Sequence, residues 1–487
     1  MSRTKTELRK YQHGMIDWLI KKPVSGLFVD MGLGKTVSVL TAFVEMGLSL
    51  AQLKGRVRHP GMLVIAPLRV CETVWEQEGA EWEHLRGLKF AHILGGEKQR
   101  LRALHSKADI YLMNIDNIPW LAVTLRTLQQ QGLRIPFNWL VIDESSAFKS
   151  TGTKRFSAIR ALLPAFPRRT ILTGTPTPNS SLELWPQLFI LDQGASLGRT
   201  VETYRERYFE MNEVIGRYVL KSTALGHINA LIAPLVLRIA NTELDGMPKI
   251  NHTEVRFDLP PIARRVYDDM ERQMFVQLDQ VFQAMQASGQ RGMIEAVNAA
   301  VLVGKCHQIA NGAVFDSEDR STWHEVHKAR LTTLEEILGE INTPVLIAYT
   351  YRHDRERLLK LLGPDTPYIG GGNKDTLSII QRWNEGKIPH LLVHPRSASH
   401  GLNMQKGTGF TVVWFSNLFS LELFDQLIAR IARSGQRNPF VNVHAIVARD
   451  TTDEAMRNAI ARKAQGQAAQ LNALREYQET RMKELMR

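Results

Sequence analysis

The chain has 487 residues, 44% hydrophobic and 23% charged, the balance of a globular protein with core enough for two to four domains. Its net charge of +12 favours a polyanionic partner such as nucleic acid. Cys71 and Cys306 are the only cysteines and lack Cys-x-x-Cys spacing, which excludes a disulfide framework or zinc site; with no apolar run of ~18 residues and no signal core, a soluble, cytoplasmic, membrane-free protein is expected.

Residues 7–20 place Leu8, Tyr11, Met15, Trp18 and Leu19 on one helical face, with Gln12 free to offer an amide to an adenine edge. A short apolar run, Leu27 to Val29, then meets the turn DMGLGKT and an apolar helix from Val37 to about Leu50. This is the strand–loop–helix context of a phosphate-binding loop. Gly32 and Gly34 let backbone N–H groups turn inward, Lys35 reaches β- and γ-phosphates, and Thr36 offers its hydroxyl to Mg²⁺. The strict pattern places a glycine where Val29 stands. A basic connector with Lys54, Arg56 and Arg58 follows.

Met62–Ala66, Ile110–Met113, Trp139–Ile142 and Thr170–Leu172 read as buried strands, each followed by helix-length sequence, so a parallel sheet covered on both faces is expected. The third strand ends in Asp143-Glu144. Asp143 suits a Mg²⁺ ligand and Glu144 a base that polarises the attacking water in nucleoside triphosphate hydrolysis. The fourth ends in Thr173-Gly174-Thr175-Pro176.

Residues 180–340 read as mainly helical, over Leu182–Leu191 and about Ile262–Cys306, around a connection near Asp245-Gly246-Met247-Pro248. From Pro344 the α/β pattern restarts, with strands at Val345–Tyr349, Leu391–Val393, Thr411–Phe415 and Val441–Val447 and helices at Arg355–Leu362 and Thr376–Asn384. Gln426, Arg430 and Arg433 are spaced i, i+4, i+7, so they are expected to share one face of a helix. Two arginines there suit fingers on a γ-phosphate, or contacts to nucleic-acid phosphates. Thr452–Arg487 reads as an amphipathic helix or pair. The expected division is a first lobe over 1–180, helical insertions and connection over 181–330, a second lobe over 331–450 and a helical segment over 451–487.

In this order the motifs resemble those of superfamily-two helicase-type ATPases, closest to the Swi/Snf group of double-stranded DNA translocases in their minimal bacterial or phage form. The resemblance rests on Leu8-Arg9-x-Tyr11-Gln12, Asp30–Thr36, Val64–Pro67 with Trp75 and Glu78, Asp143-Glu144, and Leu172–Pro176 with Asn179 and Glu183–Trp185. Gly401-Leu402-Asn403 and Gln426-x-x-x-Arg430-x-x-Arg433-x-Gly435-Gln436 complete it. It implies an α/β fold of two RecA-like, doubly wound parallel-sheet lobes with helical insertions, ATP and Mg²⁺ as cofactors, and a monomer on DNA, duplex more than single-stranded, with low sequence specificity. Gln12 and Gln426 would then bind nucleotide, Arg430 and Arg433 would complete the ATP site, and Thr173 and Thr175 would couple nucleotide state to movement. Pro67, Arg69, Tyr349, Arg352, Ser397 and Asn403 would track the DNA backbone. Two departures stand out: Ser145-Ser146 where the family has Ala-His or a similar pair, and Ala398-Ser399 where it has paired glycines. Strand separation at forks, and an ATP-gated DNA clamp with little hydrolysis, are the alternative uses of the same motifs. A metabolic P-loop kinase would explain neither the second α/β half nor the Gln426–Arg433 segment.

Overall fold

The computed structural model describes residues 3–47, 61–133, 135–148, 150–174, 176, 181–212, 217–240, 247–287, 291–316, 319, 321–373, 375–398, 402–433, 435–461, 474 and 476–481. The chain divides into two compact units, residues 1–210 with 219–244, and residues 211–218 with 245–487. Each is built on one all-parallel sheet.

In the first unit the strands are β1 (Val24–Val29), β2 (Gly61–Ala66), β3 (Phe90–Ile93), β4 (Ile110–Asn114), β5 (Phe137–Asp143) and β6 (Arg168–Thr173). Next in the chain β7 (Phe209–Asn212) and β8 (Arg217–Leu220) form a separate two-stranded sheet, and β9 (Val236–Ile239) joins the first unit's sheet, giving the order β3-β4-β2-β5-β6-β1-β9. The central strands carry apolar runs, Met62–Ala66 on β2 and Trp139–Ile142 on β5, because both of their faces are covered, as parallel crossovers require. One large cluster runs from Leu63, Leu140 and Ile171 to Leu125, Ile159 and Leu188 on the covering helices. The carboxyl ends of β1, β5 and β6 therefore lie side by side, where ligands of open α/β sheets bind.

The second unit contains β10 (Lys249–Phe257), a hairpin of β11 (Ala313–Phe315) and β12 (Trp323–Glu325), and β13 (Val345–Ala348) to β17 (Phe440–Ala448). Between the last two come β14 (Tyr368–Ile369), β15 (His390–Val393) and β16 (Thr411–Trp414), and the sheet order is β10-β17-β16-β13-β15-β14. Strand alternation sorts its core into two layers. Val345, Ile347, Leu392, Val413 and Ile446 face one layer, and Leu346, Leu391, Val393, Val412 and Val443 face the other.

The span 180–340 is mainly helical, over Leu184–Asp192, Val201–Tyr208, Ala224–Ile232, Pro261–Ala287, Arg291–Asn311 and Ala329–Gly339, but the strands β7 to β12, which the sequence reading did not place, also fall within it. Five of these six strands are three or four residues long and β10 is mostly exposed, so none carries a long apolar run. The first unit also passes residue 180, because β9 pairs with β1 from Gly26↔Val236 to Val29↔Ile239.

Candidate functional site

The buried strand β1 delivers the chain into the turn Asp30–Gly34, and the helix Lys35–Glu45 starts at once. Gly32 and Gly34 take φ of +81° and +75°, the left-handed region that favours glycine. A Cβ on Gly34 would also lie 2.2 Å from Gln12 Nε2, so space and backbone make the same demand. The first N–H groups of the helix have no intrahelical acceptor and point out at its positive end, the usual seat for a phosphate. Lys35 Nζ donates to the carbonyl oxygens of Val29 (2.6 Å) and Asp30 (3.2 Å), which holds the ammonium over the loop.

Gln12 is buried in the helix Lys10–Lys21. Its Oε1 accepts from the Arg9 N–H at 2.8 Å and its Nε2 donates to the Leu33 carbonyl at 3.4 Å. The amide thus braces the helix against the phosphate loop, and an adenine contact requires exchanging these bonds. Of the expected face, Met15 and Leu19 are buried in the helix beside Gln12 and Ile16, and Leu8 is buried just ahead of it.

Asp143 closes β5, and Glu144 follows in left-handed backbone at φ +57°. A non-glycine residue there stores about 1 kcal/mol, a strain common at functional sites. Asp143 Oδ1 accepts from the Glu144 N–H and Oδ2 from the Trp75 indole N–H, both at 3.1 Å. Burial pushes the Asp143 carboxyl up to about 6, the neighbouring Glu144 charge adds to this, and Lys35 opposes it. A divalent cation would add to the Lys35 charge in neutralising a buried carboxyl beside a second carboxyl. The donor set therefore fits a Mg²⁺–triphosphate. Thr36 and Asp143 are the residues that would hold the metal, and Lys35 with the loop amides those that would hold phosphate. Bound Mg²⁺ would contribute Lewis-acid neutralisation of phosphate charge.

The residue after this pair makes a connection that the sequence reading missed. Ser145 is buried and donates to Gln187 Oε1 at 2.8 Å. Gln187, also buried, donates through Nε2 to the carbonyls of Pro176 (2.5 Å) and Glu183 (3.0 Å). Thr173 is buried at the end of β6. Thr175, paired with it in the coupling expectation, lies outside the described residues, as do Asn179, Ser399, Gly401 and the connector with Lys54, Arg56 and Arg58.

In the second unit the expected three-residue helical face is not formed. The helix Leu421–Ile428 ends at the cap Ala429, before Arg430 and Arg433. The Arg430 and Ile431 amides reach back three residues to Leu427 and Ile428, so the chain tightens out of α-helical spacing. Gln426 is on the helix, buried, and donates to Glu422 at 3.1 Å. Arg430 is 7% exposed, and Arg433 donates to Asn403 Oδ1.

The expected nucleic-acid residues divide in the same way. Pro67 and Arg69 are half-buried after β2, and Arg69 opens the π-helical turn Val70–Val74. Ser397 lies in the short helix Pro395–Ala398, and Asn403 is half-buried. Arg352 is half-exposed, sits 5.5 Å from the Phe315 ring centroid and pairs with Glu356 at 3.4 Å. Tyr349 is only 3% exposed and packs in the core, so its side chain is not presented to a DNA backbone.

The SNF2-related domain family matches residues 11–308, more than half of the chain. The chain belongs to this family. Among its relatives, protein p41 of the Acyrthosiphon pisum secondary endosymbiont phage 1 is 37% identical over 466 residues, covering 92% of this chain and 94% of its own. An uncharacterized ATP-dependent helicase of Mycoplasma pneumoniae is 24% identical over 464 residues, and this chain spans only 41% of its length. The SWI2/SNF2 ATPase core of Sulfolobus solfataricus in complex with dsDNA aligns with 94% of this chain and 92% of its own at 21% identity and a TM-score of 0.43. SNF2-family membership makes the protein a helicase-like ATPase, and the phosphate loop and acid pair are the parts that such an enzyme requires. Among the described residues, no helix is long and apolar enough to cross a membrane.

Proposed function

We propose that this SNF2-family protein hydrolyses ATP to ADP and phosphate while moving along duplex DNA. The observation that carries the reading is the convergence of Lys35, held over a two-glycine loop, with the Asp143-Glu144 pair, near enough for the lysine to act on the buried carboxyl. Lys35 and the loop amides bind and orient the triphosphate. Thr36 and Asp143 place the metal. Glu144 orients the attacking water and takes its proton, and Arg430 and Arg433 neutralise charge that develops on the transferred phosphoryl group. The charge of +12 supports a polyanionic track, and phosphate-directed grips give little sequence preference.

The test is an ATPase assay of the wild type and Glu144→Gln across duplex DNA, single-stranded DNA, forked DNA and RNA. The expected result is turnover raised severalfold or more by duplex, and lost in the variant with ATP binding retained. A wild type indifferent to DNA, or a variant with normal turnover, overturns the reading.

A further inference from the structure

The segment that follows β2 has two ends, and each meets a different part of the proposed site. One end, Pro67 to Arg69, carries candidate contacts to a DNA backbone. The other is Trp75, fully buried, whose indole N–H donates to Asp143 Oδ2 at 3.1 Å. Between them runs the single π-helical turn Val70–Val74, continuous with the helix Trp75–Glu81. Such turns are rare, hold one residue more per turn than an α-helix and concentrate at functional sites. This one is fastened across its length. The Cys71 amide donates to the Pro67 carbonyl at 3.1 Å, the Thr73 hydroxyl to the Arg69 carbonyl at 2.9 Å, and the buried Cys71 thiol to the Ala66 carbonyl at 3.4 Å. A displacement at Arg69 is thus carried into the backbone that sets the Trp75 ring.

Asp143 has few ways to absorb such a displacement without responding. Its other oxygen is committed to the Glu144 amide at 3.1 Å, so turning the carboxylate also disturbs the strained residue beside it. The indole offers a single donor with no alternative geometry.

We propose that Trp75 is a positioning residue that transmits the state of the Pro67–Val74 segment to Asp143, so that engagement of a DNA backbone at Pro67 and Arg69 sets the orientation of the carboxylate. The inference rests on the functional reading above and extends it to the route by which DNA governs turnover.

The test uses the full chain with Trp75→Phe, which keeps an aromatic ring and removes the donor. Turnover is measured with and without duplex DNA, alongside duplex affinity and the rise in melting temperature produced by Mg²⁺–ADP with and without duplex. The expected result is a stimulation ratio at least 10-fold below wild type, duplex affinity within about twofold, and a Mg²⁺–ADP shift that no longer depends on duplex. A merely structural role lowers both rates in proportion and leaves the ratio unchanged, and that outcome overturns the proposal. Should Trp75→Phe fail to fold, Thr73→Val removes the bond across the turn at a half-buried position away from the acid pair. It is expected to lower the ratio at least threefold, and a wild-type ratio overturns the proposal. A wild type without stimulation defeats the functional reading itself, a distinguishable result.

Discussion

Ser145 Oγ and Gln187 Oε1 lie 2.8 Å apart in the first unit, and the same glutamine donates to the Pro176 carbonyl. The residue beside the acid pair is thereby tied through one side chain to the loop that follows β6. The serine hydroxyl gives the segment a specific partner. We expect Gln187→Ala to leave ATP affinity within about threefold and to lower DNA-stimulated turnover on the order of 10-fold. It also strands a buried hydroxyl and costs about 1–3 kcal/mol of stability. Steady-state kinetics with a urea unfolding curve check both.

Lys35 and Glu144 should fail differently. Lys35→Ala removes the ammonium held over the loop, so nucleotide binding weakens by roughly 10-fold or more and turnover falls with it. Glu144→Gln keeps the binding groups and loses the base, so turnover falls by roughly 10²–10⁴ with affinity nearly intact. Equilibrium binding of a fluorescent nucleotide, beside phosphate release, separates the two.

The raised Asp143 carboxyl gives a stability signature with a defined sign. Its folded pKa, about 6, lies above its ordinary value of 3.8, so the folded state binds the proton more tightly than the unfolded one. This group's cost is absent below about pH 4, grows as pH rises to about 6 and is complete above that. Asp143→Asn should therefore stabilise the metal-free protein by about 1–2 kcal/mol at pH 7–8 and by nothing near pH 4, while abolishing turnover. Chemical denaturation from pH 4 to 8 checks the trend.

Arg330 is fully buried in the second unit and donates to the carbonyls of Ala310, Phe415 and Ile446 and to Asp453. It links the helix Arg291–Asn311, the ends of β16 and β17 and the helix Thr452–Ala461 around one guanidinium. Removing the carboxylate by Asp453→Ala leaves that charge buried and uncompensated, with an expected cost of about 3–5 kcal/mol. Loss of a cooperative unfolding transition, with the Lys35 loop still able to bind nucleotide, is the outcome to look for.

Duplex affinity should fall with salt at a log–log slope of about −4 to −7, corresponding to roughly 5–8 phosphate contacts. Fluorescence anisotropy across a salt series measures it, and a slope near zero counts against backbone tracking.

Where burial was continuous, the sequence was readable. Met62–Ala66, Trp139–Ile142 and Val345–Ala348 are apolar because both of their faces are covered, and such runs announce themselves. The glycine-spaced loop and the acids ending β5 were legible because their chemistry dictates residue type. The edge strands were not. Lys249–Phe257 pairs along its full length with β17, yet six of its nine residues in succession are exposed, so no apolar periodicity marks it. The Gln426–Arg433 spacing misled because i, i+4, i+7 fixes a face only while the helix continues, and this helix stops at Ala429. Gln187 was invisible because its partners are main-chain carbonyls and a serine far away in sequence.

Strand β10 has one more effect. It occupies one border of the second sheet and lines it with Lys249, Glu254 and Arg256. A border studded with ionic groups is poor bait for a strand from another molecule. High local protein density should therefore not seed intermolecular β-sheet there, and the same polarity that hides β10 from a reader of the sequence discourages that form of aggregation.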